Sequence, residues 1–397
     1  MKWQLLPFEE LYLIPSRNGI NRPSRMRGNG YKMINMGELF AYGRIRNPDM
    51  ELVPLNSREI EEFGVETGDL LFARQSLIAS GAGKCSIVVE VPEITVFEGH
   101  LIRVRLDQTK ADPLFYYYFF SSHEGNGSIQ SLVMQVAAAG IRGSELAKLP
   151  VPLPPIDIQR RIASILSAYD DLIENNNRRI ALQEESMRLL YREWFVRLRF
   201  PGHEHVRVVD GLPEGWEMKP LEEICDLTMG QSPPSDTYNI NGDGLPFHQG
   251  VTRFGDRFIS HEIYCTSPNR VAEPGDILFS VRAPVGRINI TLDKIIIGRG
   301  LSAIRSKTGN QSFLYYQLKE HFFKEDLLGS GAIFASVTKK ELSNELLLNP
   351  KNEIIAAFEE ISKPIDQQIT NLNMQNIRLS EARDLLLPRL MSGQIDV

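Results

Sequence analysis

Cysteine is scarce: Cys85, Cys225 and Cys265 stand far apart in 397 residues and make no CxxC pair. A disulfide framework and a thiolate metal cluster are both excluded, and a reducing, cytoplasmic setting is expected. No run approaches the roughly 18 apolar residues of a membrane span, so no membrane partner is expected. The N-terminus MKWQLLPFEE lacks the apolar stretch of a signal peptide. An excess of positive charge is missing too. Residues 1–150 carry 16 basic and 17 acidic side chains, 156–200 carry 8 and 7, 201–350 carry 15 and 19, and 351–397 carry 5 and 7, for a net −6. That balance excludes a nucleic-acid binder held by bulk charge alone and leaves room only for a local basic face.

Catalytic motifs are absent as well. There is no HExxH, no GxSxG and no Asn-Pro-Pro-aromatic segment. Ser80–Cys85 (SGAGKC) hints at a phosphate-binding loop, but Ile78 and Cys85 stand where that loop needs Gly and Ser or Thr. Asp210, Glu217 and Lys219 fall in a Gly/Pro-rich linker, which makes a nuclease cluster a coincidence of composition. His203 and His205 share that linker with no further ligand nearby, so no metal site is expected. The chain reads as one without chemistry of its own, binding no cofactor.

Proline and glycine are missing from Ile158 to Arg197, with prolines clustered before this stretch and Pro201-Gly202 after it. A long helix is predicted, its limits set by residues that cannot continue one. Leu166, Tyr169, Ile173, Asn176, Ile180, Gln183, Met187, Leu190 and Trp194 follow the 4,3 spacing of a helix that packs on another helix. Its two amides, Asn176 and Gln183, are of the kind that fixes register. The chain's end offers the partner. One frame runs Ser362, Ile365, Ile369, Leu372, Asn376, Leu379, Arg383, Leu386 and Leu390. Another runs Phe358, Ile361, Ile365, Gln368, Leu372, Gln375, Leu379, Ala382 and Leu386, and the sequence leaves the choice open. A short helix over Asn352–Ile361 is expected first, then a bend, with Ser362 or Lys363 as cap and Pro364 opening the main helix.

An internal repeat organises the rest. Gly68–Ala73 (GDLLFA) returns as Gly275–Ser280 (GDILFS), each followed by an arginine, Arg74 or Arg282. β-rich runs, an aromatic patch (Leu114–Phe120, Phe313–Leu318) and a small-residue segment (Val136–Gly143, Gly329–Ser336) follow in the same order. Gly30–Gly37 and Gly244–Gly250 take equivalent places. The repeat of about 200 residues is too long for a solenoid unit and reads as a duplicated domain-plus-helix module. The aromatic patches are assigned to the core.

Between Glu10 and Glu38 there is no acidic residue, yet Arg17, Arg22, Arg25, Arg27 and Lys32 stand there among Gly, Asn, Ser and Pro. Such a loop suits phosphates and base edges; a merely solvated basic loop is the plain alternative. In the second module Gln231, Ser232, His248, Gln249 and Arg253 occupy the matching region. Each GD-strand delivers its arginine beside a further cation, Lys84 in the first module and Arg287 in the second, with Arg299 added there.

At this point the chain resembles the DNA-specificity (S) subunits of type I restriction–modification enzymes, over nearly its full length. Leu149–Ile162 (LPVPLPPIDIQRRI) is similar to that family's lead into its central helix, and Gly211–Trp216 (GLPEGW) to the lead into its second recognition domain. Gly68–Phe72 and Gly275–Phe279 match the strand of each recognition domain. Ile158 stands where Glu is usual, and the second helix start, Asn349–Glu353, is degenerate.

The resemblance implies an α+β chain: two similar α/β target-recognition domains joined by two long antiparallel coiled-coil helices, with a pseudo-twofold repeat. The expected segments are a first domain at 1–155, a spacer helix at 156–200, a second domain at 201–350 and a second spacer helix at 351–397. Each domain would read one half of a split site in double-stranded DNA. The helices, the first about 57 Å long at ~1.5 Å per residue, would set the spacing and dock two methyltransferase (M) subunits. Those partners would bring S-adenosylmethionine, and restriction (R) subunits would use ATP and Mg2+. A scaffold that joins partner proteins through its coiled coil without binding DNA is the alternative, which the net acidity favours slightly.

Overall fold

The computed structural model describes residues 3–77, 79–135, 139–322 and 336–397. The chain divides into two compact units, Met1–Asn176 with Met374–Val397, and Asn177–Asn373. The division runs through both long helices instead of following the expected limits at 155, 200 and 350. The reason is packing. In the first unit Ile162 and Leu166 join a core with Leu390 and Met391; in the second, Met187, Tyr191 and Trp194 join one with Ile355 and Phe358.

The first unit holds a five-stranded sheet in the order Tyr12–Asn18, Leu101–Leu106, Leu70–Ala73, Cys85–Glu90, Arg44–Arg46. Only the last pair is parallel. All four residues of Leu70–Ala73 are buried. Leu70 and Phe72 enter one core while Leu71 and Ala73 enter another, the two-residue alternation of a strand covered on both faces. A three-stranded sheet sets Tyr31–Ile34 between Glu51–Val53 and Thr95–Phe97.

The second unit repeats the plan. Its four-stranded sheet runs Cys225–Met229, Leu301–Ser306, Ile277–Ser280, Ile288–Ile290. Leu245–His248 pairs in parallel with Ile295–Ile297, as Tyr31–Ile34 does with Thr95–Phe97. Gly30 and Gly244 hold positive φ, and a Cβ on either would meet a carbonyl oxygen, of Val53 at 2.3 Å or Cys265 at 2.2 Å. Glycine is required at both places.

The repeated Gly-Asp also has a structural cause. Asp69 accepts from the backbone N–H of Glu66 at 2.7 Å and from Arg105 Nε at 2.7 Å. Asp276 does the same with Glu273 N at 2.8 Å and Arg305 Nε at 2.6 Å. The aromatic patches lie in helices Pro113–Ser121 and Gln311–Phe322, where Phe115, Tyr116, Phe119, Phe313, Tyr315 and Tyr316 are all buried.

The first long helix spans Ile156–Tyr191 and ends in a π-helical turn, Arg192–Val196. Gln159 is fully buried at its start. Its carbonyl accepts from Asp112 N at 2.8 Å and its amide donates to Pro154 O at 2.8 Å, which tethers the helix start to the globule. The second long helix corrects an expectation. It is continuous from Asn352 to Met391, with Pro364 inside it and not at its start. A mid-helix proline costs about 3 kcal/mol, and the apolar contacts of Ile355 and Phe358 on one side and Ile365, Ile369 and Leu372 beyond it carry the helix across.

The two frames share the seam: the Ser362–Leu390 frame supplies Asn376 and Arg383 in the first unit, and the rival frame supplies Phe358 and Gln368 in the second. Every position of the Ser362–Leu390 frame is buried or half-buried, whereas Ile361, Gln368 and Gln375 of the rival frame are exposed. In the first unit Asp170 meets Arg383 and Asn176 meets Asn376, so the two helical stretches run in opposite directions there. In the second unit Gln183 donates to Gln368 at 2.6 Å, and Trp194 packs edge-on against Phe358.

Candidate nucleic-acid interface

The loop at 17–32 is basic in sequence but not in space. Arg17 donates to Glu62 Oε1 and Arg22 to Glu59 Oε1, each at 2.5 Å. Arg27 donates to Glu51 Oε2 at 2.5 Å, and Lys32 lies 2.6 Å from Glu93. The counter-ions come from segments 51–62 and 93, which the fold brings back onto the loop. Four of the five cations are therefore neutralised in place. Arg25, exposed on a short 3-10 turn at Ser24–Met26, has no described side-chain partner.

Lys84 is also committed. Its ammonium donates to Phe40 O at 2.8 Å and sits over the Phe40 ring, and burial lowers its pKa. Arg74 is half-buried at the end of Leu70–Ala73, where its backbone N–H donates to His100 O.

In the second unit His248 is corrected outright as a base-reading residue. It is buried, its Nε2 lies 2.8 Å from His261 Nδ1, and His261 Nε2 lies 3.1 Å from Asp293. Burial and the neighbouring His261 push its pKa down to about 3. Arg253 is ion-paired with Glu262.

Other candidates converge. Ser232 Oγ donates to Gln249 Oε1 at 2.7 Å and accepts from the backbone N–H of Arg299 at 3.3 Å. Gln231 lies exposed beside them, its backbone N–H bound to Ile297 O. The exposed side chains of Arg282 and Arg299 line one concavity of about 450 Å³ with Met229, Val281, Val337 and Thr338. Arg287 is exposed on the loop after Arg282, its backbone N–H donating to Ser280 Oγ at 2.8 Å.

The sequence reading missed what anchors these globules. Tyr118 donates to Asp170 at 2.6 Å in the first unit, and Tyr316 to Asp366 at 2.8 Å in the second. Both tyrosine pKa values are raised, by burial first. Arg257, 4% exposed, adds a bond to Asp366 at 2.6 Å. The signal was present: Asp170 and Asp366 are separated by the same 196-residue shift as the helix frames. Of the small-residue segments, 136–138 and 329–335 lie outside the described residues, as does Ile78.

Among the described residues there is no cluster of three metal-ligating side chains, and no helix is long and apolar enough to cross a membrane.

Two α+β globules, each fastened to a stretch of helix and each presenting polar loops, define a duplicated recognition protein. The chain belongs to the family described as the type I restriction modification DNA specificity domain, whose model matches residues 16–184 and 213–376. It is 29% identical over 402 residues to a putative type I restriction enzyme MjaX specificity subunit of Methanocaldococcus jannaschii, covering 100% of this chain and 94% of that one. A second relative from that organism, the MjaIX specificity subunit, is 24% identical over 71% of this chain and 69% of its own. The fold is similar to the crystal structure of a type I restriction-modification system S subunit from M. genitalium, with TM-score 0.62 and 18% identity over 98% of this chain and 96% of that chain.

Proposed function

We propose that this chain is the DNA-specificity subunit of a type I restriction–modification system. Each globule reads one half of a two-part site in double-stranded DNA. The paired helices act as an antiparallel coiled-coil spacer that sets the distance between half-sites and docks two methyltransferase subunits. The chain performs no chemistry; its partners in the cytoplasm use S-adenosylmethionine for methylation, and restriction subunits use ATP and Mg2+.

The observation that carries this reading is one scaffold built twice with different exposed residues. The Asp69–Arg105 and Asp276–Arg305 pairs and the Tyr118–Asp170 and Tyr316–Asp366 anchors match. The exposed residues around Arg25 and around Gln231, Arg282 and Arg299 do not. Matched frames with unmatched surfaces are what reading two unlike half-sites demands.

Neutralisation of four loop cations by Glu51, Glu59, Glu62 and Glu93 favours the scaffold alternative. Titration of the intact complex with duplex DNA across salt separates the two. A DNA reader loses affinity steeply as salt rises. A scaffold shows no binding at any salt.

A further inference from the structure

The two globules place one exposed residue at the same backbone position, and the residue differs. In the first unit Arg74 N donates to His100 O at 2.8 Å and Arg74 O accepts from Ile141 N at 2.9 Å. In the second, Val281 N donates to Gly300 O at 2.9 Å and Val281 O accepts from Val337 N at 2.8 Å. Val281, not Arg282, is therefore the structural counterpart of Arg74, which corrects the pairing of the two arginines by sequence. The next residues correspond as well: Gln75 pairs with Gly140, and Arg282 bridges antiparallel to Ser336.

Resting on the proposed DNA reading, we infer that Gln75 and Arg282 are specificity-determining residues, Gln75 reading an adenine in one half-site and Arg282 a guanine in the other. Both side chains are exposed. Each extends from a short β-bridge at the end of the rigid, fully buried central strand, a mounting that limits backbone adjustment.

The chemistry of each side chain assigns its base. A glutamine amide offers one donor and one acceptor side by side, which complements N7 and N6 of adenine. A guanidinium offers two parallel donors, which complements O6 and N7 of guanine. Gln75 is held for this role, since its Oε1 lies 3.1 Å from His100 Nδ1. That contact fixes which way the amide faces and leaves the oxygen a second lone pair for the adenine N6 amino group. Arg282 has no described carboxylate partner, and it shares its concavity with a second exposed cation, Arg299, over an apolar floor of Met229, Val281 and Val337. Arg299 is placed to take the adjoining phosphate and so to aim Arg282 at a base edge.

The test is selection from a randomised duplex pool by the full chain co-expressed with the neighbouring methyltransferase genes, for wild type, Arg282→Gln and Gln75→Arg. The wild type is expected to enrich a two-part sequence. In Arg282→Gln, preference for guanine at one position of one half should fall roughly tenfold or more, the other half being unchanged. In Gln75→Arg the change should fall on one adenine position of the opposite half. Enriched sequences identical to wild type in both variants would overturn the inference while leaving the DNA reading intact. Uniform weakening without altered sequence would make both residues phosphate contacts and overturn it too. A wild type that enriches nothing would overturn the DNA reading itself, and the inference with it.

Discussion

Asn176 donates its side-chain amide to the side-chain oxygen of Asn376 at 3.0 Å, joining the two long helices across 200 residues of sequence. Asn176 is buried in a seam that also holds Leu166, Tyr169, Leu379, Leu386 and the Asp170–Arg383 pair. A buried amide facing an apolar side chain would lose its hydrogen bond, so the pair selects one register among several that apolar residues alone would accept. Asn176→Ala should destabilise the chain by about 0.5–1.5 kcal/mol in urea unfolding, the net worth of the inter-helix hydrogen bond it removes. Replacing both by Leu should restore or raise stability. A double variant less stable than the single one would remove the pair's assigned role.

The two Gly-Asp strands predict unequal sensitivity. Asp69 takes two bonds from Arg105, at 2.7 and 2.8 Å, where Asp276 takes one from Arg305, and the Arg105 side chain is 15% exposed against 47% for Arg305. Deprived of its carboxylate, Arg305 can turn to water, whereas Arg105 keeps Glu66 but loses its inner partner. Asp69→Ala should cost about 3–5 kcal/mol, the range for a broken buried pair, and Asp276→Ala clearly less. Equal losses in thermal or urea unfolding would contradict the exposure argument.

Arg25 and Arg22 should separate binding from stability. Arg25→Ala removes a surface cation that has no side-chain partner among the described residues. It should leave unfolding unchanged, yet weaken DNA binding by roughly 1–3 kcal/mol if it reads a base. Arg22→Ala frees Glu59, which caps the Ser57–Phe63 helix through Asn56. It should lower stability modestly and affect binding less. The reverse ranking in parallel gel-shift and melting experiments would refute the assignment.

His248 gives the second unit a pH dependence. Its pKa lies near 3 when folded because it is buried beside His261, against about 6.5 when unfolded. Between those values the unfolded chain takes up a proton that the folded chain refuses. Its contribution is thus fully present above pH 6.5 and is lost as pH falls toward 3. The slope approaches about 1.4 kcal/mol per pH unit at most. His248→Asn should flatten urea-unfolding stability between pH 6.5 and 5 relative to wild type, and parallel curves would count against it.

The long helices, their seam and the repeat are legible in the sequence because each rests on local spacing. Leu166 to Trp194 keep the helical period, and GDLLFA and GDILFS read alike. The interface is far less legible because charge pairing is non-local. Arg17, Arg22 and Arg27 look unopposed until the fold returns Glu62, Glu59 and Glu51 to them. His248 looks available until the strand buries it. Pro364 looks like a helix start because the packing that spans it is tertiary.

The most direct test is single-molecule sequencing of host DNA for methylated adenines after co-expression with the neighbouring methyltransferase genes. The account predicts one motif with two defined halves separated by a fixed gap, of which replacing residues 1–155 by another domain changes one half alone. Absence of sequence-specific methylation despite an intact, co-purifying complex would contradict it.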